Sequence, residues 1–314
     1  MKSVIITGIN GQDGIFLSRL LIKQGYEVLG VGSQSMPTHH LPNKIRYFSI
    51  DIRNTSLLLD LIENVRPQLL FNLAGRSSVA ESFKETEATF EVNGNSVIDL
   101  LNGIYSKNEL RALKFFQAST SEMFGNAPDE GQSEKSPFNP VSPYAQSKLN
   151  AHLAAREFRA LGYFVSSGIM FNHESIYRPV NFVTRKISSS IAKIKRGESS
   201  FFVMGNLFAE RDWGFSGDFV RAMQLIIEHE IPDEFVVATG KLRSVDSLVN
   251  IALEEVGLLE NKDDILRIDH NLYRPNEVNR LFGNPHKARQ ILGWSPKTDF
   301  EETFRGMVRY DLTL

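Results

Sequence analysis

Thr7-Gly8-Ile9-Asn10-Gly11-Gln12-Asp13-Gly14 follows a short β-branched run, Ser3–Thr7, and leads into Ile15–Lys23. In that second segment Leu17, Leu20 and Leu21 recur at helical spacing. The glycines are spaced Gly-x-x-Gly-x-x-Gly. Gly8 permits a tight turn, and Gly11 lets the backbone approach a pyrophosphate. That group would then meet the free N–H groups of the helix N-terminus. A glycine pattern alone is an ordinary turn. Placed between a strand and a helix at the start of a chain, it points to dinucleotide binding.

Outward from this loop the pattern alternates. Glu27–Gly32, Tyr47–Ile50, Leu69–Leu73, Leu113–Ala118 and Tyr163–Phe171 read as strands. Leu57–Val65, Phe90–Tyr105 and Tyr144–Leu161 read as helices. Strands alternating with helices imply βαβ units and a parallel sheet. The fold class is therefore α/β: a Rossmann-type, doubly wound parallel sheet with a smaller, mostly C-terminal substrate-binding lobe. Residues 1–170 are expected to bind the dinucleotide, joined by a later segment near 215–245. Residues 171–314 are expected to form mainly the substrate lobe. There Asn172–Asn181, polar and containing Pro179, reads as a loop. Asp218–Glu228 and Val245–Val256 read as helices, and Asn284–Tyr310 as helix, turn, helix. The stretches 32–43 and 125–143 are long irregular loops, which in compact domains are often functional.

Composition narrows the class. The chain has 314 residues, with 35 Lys and Arg against 37 Asp and Glu, a net charge of −2. That balance carries no electrostatic footprint for nucleic acid. A hydrophobic content of 42% supports a sizeable core. There is no cysteine, which excludes disulfides, a thiol nucleophile and Cys-ligated metal sites. No apolar run approaches the ~18 residues of a membrane span, and Met1-Lys2 does not begin a signal peptide. The expected location is cytoplasmic. His39 and His40 lie in a loop with no nearby acid, so they read as solvated, and no metal site is expected.

Tyr144 and Lys148 stand at i, i+4 and so share a helix face. An ammonium beside a phenol is expected to lower its pKa from ~10, so that it takes a proton from a sugar or alcohol hydroxyl while hydride leaves for a nicotinamide. Upstream, Ser119-Thr120-Ser121-Glu122 lies at the carboxyl end of a strand, where open α/β sheets build their sites. Thr120 offers a hydroxyl to a developing oxyanion. Glu122 adds a second acid/base, which simple dehydrogenation does not need but proton abstraction α to a carbonyl does. The end of the second strand, Gly32-Ser33-Gln34-Ser35, has neither the acid typical of NAD sites nor the Arg typical of NADP sites. These residues leave the cofactor open.

With these motifs together, the chain resembles the extended short-chain dehydrogenase/reductases that act on nucleotide sugars, and within them the GDP-mannose 4,6-dehydratase family. The likeness runs through Thr7–Gly14, Asn72–Val79, Ser119–Gly125, Ser142–Lys148, Gly168–Ser175, Phe182–Ile187, Gly205-Asn206-Leu207, Arg211-Asp212-Trp213-Gly214 and Tyr273–Val278, in order. It is most specific in Phe171-Asn172-His173-Glu174-Ser175 and Arg211–Gly214. The resemblance implies a catalytic set of Thr120, Glu122, Tyr144 and Lys148. It implies transient oxidation at C4 of a GDP-hexose, loss of water across C5 and C6, and a 4-keto-6-deoxy product. It implies cofactor contacts from Gly8, Asn10, Gly11, Gln12, Asp13, Gly14, Ser33, Asp51, Ile52, Leu73, Ala74, Tyr144, Lys148, His173 and Arg178. It implies substrate contacts from Ser77, Asn172, Lys186, Arg211, Arg274 and Glu277. Lys186, Arg211 and Arg274 suit a diphosphate by charge, and Glu277 can accept from a guanine N–H edge.

Three departures from the family pattern follow. Ser33 stands where the family has an Arg for the 2′-phosphate, the loop Gln34–Leu41 is shorter, and Ala88 replaces a Tyr near the cofactor. The missing acid favours NADP over NAD, with NAD as the alternative. The shorter loop favours a homodimer over the family's tetramer. The departures also leave room for another GDP-sugar, such as a heptose, or for a reaction that halts after C4 oxidation.

Overall fold

In the computed structural model, residues 2–128, 130–273 and 276–314 are described. A seven-stranded sheet runs in the order β10-β6-β5-β4-β1-β2-β3, every neighbouring pair parallel. Its strands are β1 (Ser3–Thr7), β2 (Glu27–Gly32), β3 (Arg46–Ser49), β4 (Leu69–Asn72), β5 (Lys114–Thr120), β6 (Val165–Met170) and β10 (Glu234–Val237). The order reverses between β1 and β4, the position where doubly wound sheets open a crevice.

Side-chain alternation along the strands separates two cores. Val4, Ile6 and Phe116 face helices α1 (Gln12–Lys23) and α8 (Ser216–Glu228), among Leu17, Leu21 and Met223. Ile5 and Phe115 face α2 (Thr55–Val65), α5 (Ser96–Tyr105) and α6 (Pro143–Ala160), among Leu58, Leu100 and Ala151. Period-2 strands buried on both faces give the near-continuous apolar runs seen in the sequence. The short helices α3 (Val79–Ser82) and α4 (Thr86–Phe90) lead into a π-helical turn, Glu91–Asn95, that interrupts the expected Phe90–Tyr105 helix.

The second lobe holds β7 (Asn172–Glu174), α7 (Val183–Lys195), β8 (Phe202–Met204), β9 (Glu210–Phe215), β11 (Leu242–Ser244), α9 (Val245–Glu255), α10 (Lys262–Ile265), β12 (Leu266–Ile268), β13 (Arg280–Leu281) and α12 (Phe300–Leu312), while α11 (His286–Leu292) packs on β10 and α8 of the first. Its core joins Ile187, Trp213, Leu248, Phe300 and Phe304. One expectation is corrected here. Asn172–Glu174 is not loop but a strand, because its backbone pairs with Trp213–Phe215 of β9. Val183–Lys195 is a helix whose buried Ile187 and Ile191 face the lobe core. No helix among the described residues is long and apolar enough to cross a membrane.

Candidate active site

The glycine loop makes its turn with Gly8 at φ +68°. A Cβ there would lie 2.7 Å from the Ala74 nitrogen, so β4's continuation, Leu73-Ala74, packs directly on the loop. Gly11 is the N-cap of α1 and brings no side chain to the helix N–H groups. A Cβ on Gly11 would touch only the Gly8 carbonyl, at 3.3 Å, and this side of the turn is otherwise open. An open, uncapped helix N-terminus is the form that a pyrophosphate needs, so the residues fit a dinucleotide. Gln12 turns inward: its amide donates to the His173 carbonyl at 2.8 Å and accepts from Ser175 at 2.9 Å. Asn10 accepts from the Thr38 N–H at 3.0 Å and donates to Gln34 at 2.7 Å, which binds the 33–38 loop to the glycine turn. Ser33 is exposed beside them. Asp51 is held by Arg53 at 2.7 Å, and this bonding pulls its carboxyl below the usual range, while Ile52 is buried. His40, read as solvated, instead packs its ring against Tyr177 at 4.7 Å.

Asp13 faces His173, Oδ2 to Nε2, at 2.9 Å. Burial disfavours a charged imidazole there, but the Asp13 carboxylate outweighs it and raises the His173 pKa. The second carboxylate oxygen of Asp13 is buried with no hydrogen-bond partner among the described residues.

The four candidate catalytic residues meet where β5 ends beside α6. Ser142 caps α6, accepting from the Ala145 N–H at 3.1 Å, and Pro143 occupies the first helical position. This start places Tyr144 in the first turn. Thr120 caps the one-turn helix Ser121–Phe124, its hydroxyl accepting from the Glu122 N–H at 3.3 Å. Glu122 is buried and lines a small cavity with Phe83, Ser142, Asn276 and Val278. Lys148 donates to the Ala118 carbonyl at 2.8 Å.

The electrostatics correct one expectation. The Tyr144 pKa is not lowered but pushed up to about 12. Burial is the main cause. Thr120 and Arg178 favour the phenolate, whereas Glu122 and Asp13 oppose it. The Lys148 ammonium turns to the strand carbonyl instead of the phenol, and burial lowers its pKa to about 8.

The opposing wall comes from the second lobe. Arg211 on β9 is buried and meets Glu277 at 3.4 Å. Asn172 keeps a buried side-chain oxygen without a hydrogen-bond partner among the described residues. Lys186, in the first turns of α7, is half-buried, and burial lowers its ammonium's pKa. Arg178 pairs with buried Glu174 at 3.1 Å and lies over the Phe182 ring. Ser77 is exposed, just before the α3 cap Ser78, and Ala88 is half-buried in α4. Arg274 lies outside the described residues. Asn93 was missed. From the π-helical turn it bonds both Arg76 backbone groups, at 2.8 and 3.0 Å, and Ser147 at 3.3 Å, tying β4's continuation to α6. Only the interruption of the helix marks it, and no local spacing signals that.

The family model described as GDP-mannose 4,6 dehydratase matches residues 5–307. GDP-mannose 4,6 dehydratase 1 of Arabidopsis thaliana is 40% identical over 331 aligned residues, covering 100% of this chain and 90% of that protein. The Homo sapiens GDP-mannose 4,6 dehydratase is 38% identical, covering 99% and 91%. Among solved structures, the UDP-glucose 4-epimerase of Thermotoga maritima superposes with a TM-score of 0.85 at 24% identity, covering 98% of each chain. DesIV, a dTDP-glucose 4,6-dehydratase from Streptomyces venezuelae solved with NAD bound, gives 0.86 at 21%, covering 98% of this chain and 96% of that one. At these identities the two structures show the shared fold.

Proposed function

The chain belongs to the GDP-mannose 4,6-dehydratase family, and on that premise we propose that it converts GDP-mannose to its 4-keto-6-deoxy form. The reading rests on one observation above others. Thr120, Glu122, Tyr144 and Lys148 gather at one strand end, and Glu122 shares a small cavity with Asn276 and Val278, next to the Glu277 that pairs with Arg211. A nicotinamide dinucleotide would be held by the Gly8–Gly14 loop and by Asp51, Ile52, Leu73, Ala74, His173 and Arg178. When bound in its oxidised form it would supply a positive charge that favours the Tyr144 phenolate and an acceptor for the C4 hydride, which goes back to C6, with a proton restored to C5, once water has left.

Tyr144 moves the proton of the C4 hydroxyl, and Thr120 steadies the oxygen as its charge changes. Lys148 holds the ammonium charge beside this transfer. A ketone at C4 acidifies C5–H, and Glu122 takes that proton. As the protonated acid, Glu122 then delivers it to the departing C6 hydroxyl, so one carboxyl serves both halves of the elimination. Arg211 and Lys186 hold the diphosphate, and Glu277 accepts from the guanine edge.

The dinucleotide half comprises residues 1–170 with a segment near 215–245. The placement of β10 beside β6, and the bond from Gln24 on α1 to Gln224 on α8, support this division. The cofactor is NADP, with Ser33, Gln34 and Ser35 around the ribose and no acid to repel a 2′-phosphate. The enzyme works as a homodimer in the cytoplasm.

Mass spectrometry after incubation with GDP-mannose tests the reaction. A product lighter by one water is expected, and one lighter by two hydrogens would mean a dehydrogenase. Dissociation constants for NADPH and NADH test the cofactor, and a preference for NADH above tenfold, about 1.4 kcal/mol, would reverse that assignment. Light scattering on the purified chain tests the dimer.

A further inference from the structure

Tyr144 and Lys148 are the first two members of a longer series on α6. His152, Arg156 and Arg159 continue the same face at helical spacing. His152 is fully buried, and its Nδ1 lies 2.8 Å from the Ser119 hydroxyl. Its Nε2 faces the Glu234 carboxylate on β10 at 3.4 Å. Arg156 and Arg159 donate to the same carboxylate at 2.7 and 2.8 Å. With two guanidinium donors on it, Glu234 is an acceptor. The imidazole therefore carries its proton on Nε2, and Nδ1 accepts from the Ser119 O–H. Phe138, from the loop that leads into α6, meets the His152 ring edge-on at 5.3 Å.

Three consecutive residues of β5 thus receive α6. The Ala118 carbonyl takes Lys148, the Ser119 hydroxyl takes His152, and Thr120 lies beside Tyr144. The buried apolar residues of α6 are mostly small, Ala145, Ala151, Ala154 and Ala155 beside Leu149. Such a face is smooth, and apolar burial has no direction, so it alone would let the helix slide or turn. Directional bonds select one register: the hydrogen bond between His152 and Ser119 supplies that direction, while His152 Nε2 meets Glu234 at 3.4 Å without a hydrogen bond.

We propose that His152 is a positioning residue for the reaction: through its hydrogen bond to Ser119 it fixes the register of α6 on β5 and so the placement of Tyr144 and Lys148. It does not touch substrate, being enclosed behind the strand. The inference rests on the dehydratase reading for its kinetic test and on geometry alone for its structural one.

Two substitutions separate bonding from packing. His152→Asn keeps an amide oxygen near the place of Nδ1, so Ser119 retains an acceptor, but it leaves a void. His152→Phe fills the space and removes the bond. If His152 positions the helix, H152F lowers kcat about tenfold or more with little change in KM for GDP-mannose, since small misplacements act on the chemical step. H152N keeps kcat within about twofold of wild type while losing thermal stability to the cavity. S119A reproduces the H152F loss, and the double variant S119A/H152F is no worse than H152F, as for residues that act as a unit. Wild-type kcat in H152F, or an equal loss in H152N, overturns the proposal. Should neither His152 variant fold, S119A decides, and an unchanged kcat overturns it. Should the wild type turn over no GDP-hexose, the dehydratase reading falls separately. Crystal structures of wild type and H152F then decide, and α6 unshifted on β5 overturns the positioning role.

Discussion

The two walls of the cleft hold their charges in different ways. On the dinucleotide side, the reactive groups are anchored to backbone: Lys148 on the Ala118 carbonyl, and Glu122 on a one-turn helix capped by Thr120. On the substrate side, Arg211 meets the Glu277 carboxylate at 3.4 Å as well as the Glu210 carbonyl at 3.0 Å, so part of its anchorage is another charge. The first wall is set before any ligand arrives. In the second, a diphosphate bound as proposed would compete with the Glu277 carboxylate for the Arg211 guanidinium. Changes to the first wall should therefore act on rate and changes to the second on affinity.

The largest effect that can break this contrast is at Tyr144. Tyr144→Phe removes the proton-transfer group and keeps the ring, so kcat should fall ~10²–10⁴-fold. GDP binding by calorimetry should stay near wild type, and weakened binding would mean that the two walls are not separate. Glu122→Gln sharpens the first wall itself. Oxidation at C4 needs Tyr144 and Lys148, so absorbance at 340 nm should still rise when substrate is added. Elimination needs the carboxylate, so no 4-keto-6-deoxy product should form. Dehydration at the wild-type rate would reduce Glu122 to a structural residue.

Arg211→Ala probes the second wall. It removes a charge-assisted contact worth ~1.5–3 kcal/mol and leaves Glu277 without this partner, so GDP affinity should fall while dinucleotide affinity holds. Unchanged GDP affinity would place Arg211 outside the site. The smallest effect concerns the support behind the first wall. Burial lowers the His152 pKa from 6.5 to about 4. Between those values the unfolded chain binds a proton that the folded chain refuses, so stability declines as pH falls from about 6.5 toward 4. Although burial opposes its charge, Glu234 is held down to about 2 by the arginines and His152, and its contribution is lost lower, as pH falls from 4.5 toward 2. Melting temperature followed against pH should show the upper window in wild type and not in H152F.

Much of this was legible in residue spacing. The glycine turn, the Tyr144–Lys148 pair and Glu122 are signals within a few residues of chain, and local backbone geometry expresses them directly. β7 was not legible. Asn172–Glu174 is polar, and becomes a strand only because β9, some forty residues later, offers a free edge. The Tyr144 pKa was misjudged for a related reason. Spacing brings Lys148 to the same helix face, but the ammonium finds the Ala118 carbonyl, and burial then dominates. The network of Ser119, His152 and Glu234 joins residues from β5, α6 and β10 and has no sequence signature at all.

The order of apolar and polar residues by itself determined the parallel sheet and which candidate residues stand at its strand ends, because both follow from short-range periodicity and turn chemistry. Only the tertiary structure decided which charges meet. Glu277 stands opposite Arg211, and Asp13 opposite His173, across long stretches of chain. Whether a buried group is charged depends on the solvent that packing removes and on the partners that packing supplies, and neither is a property of its neighbours in sequence.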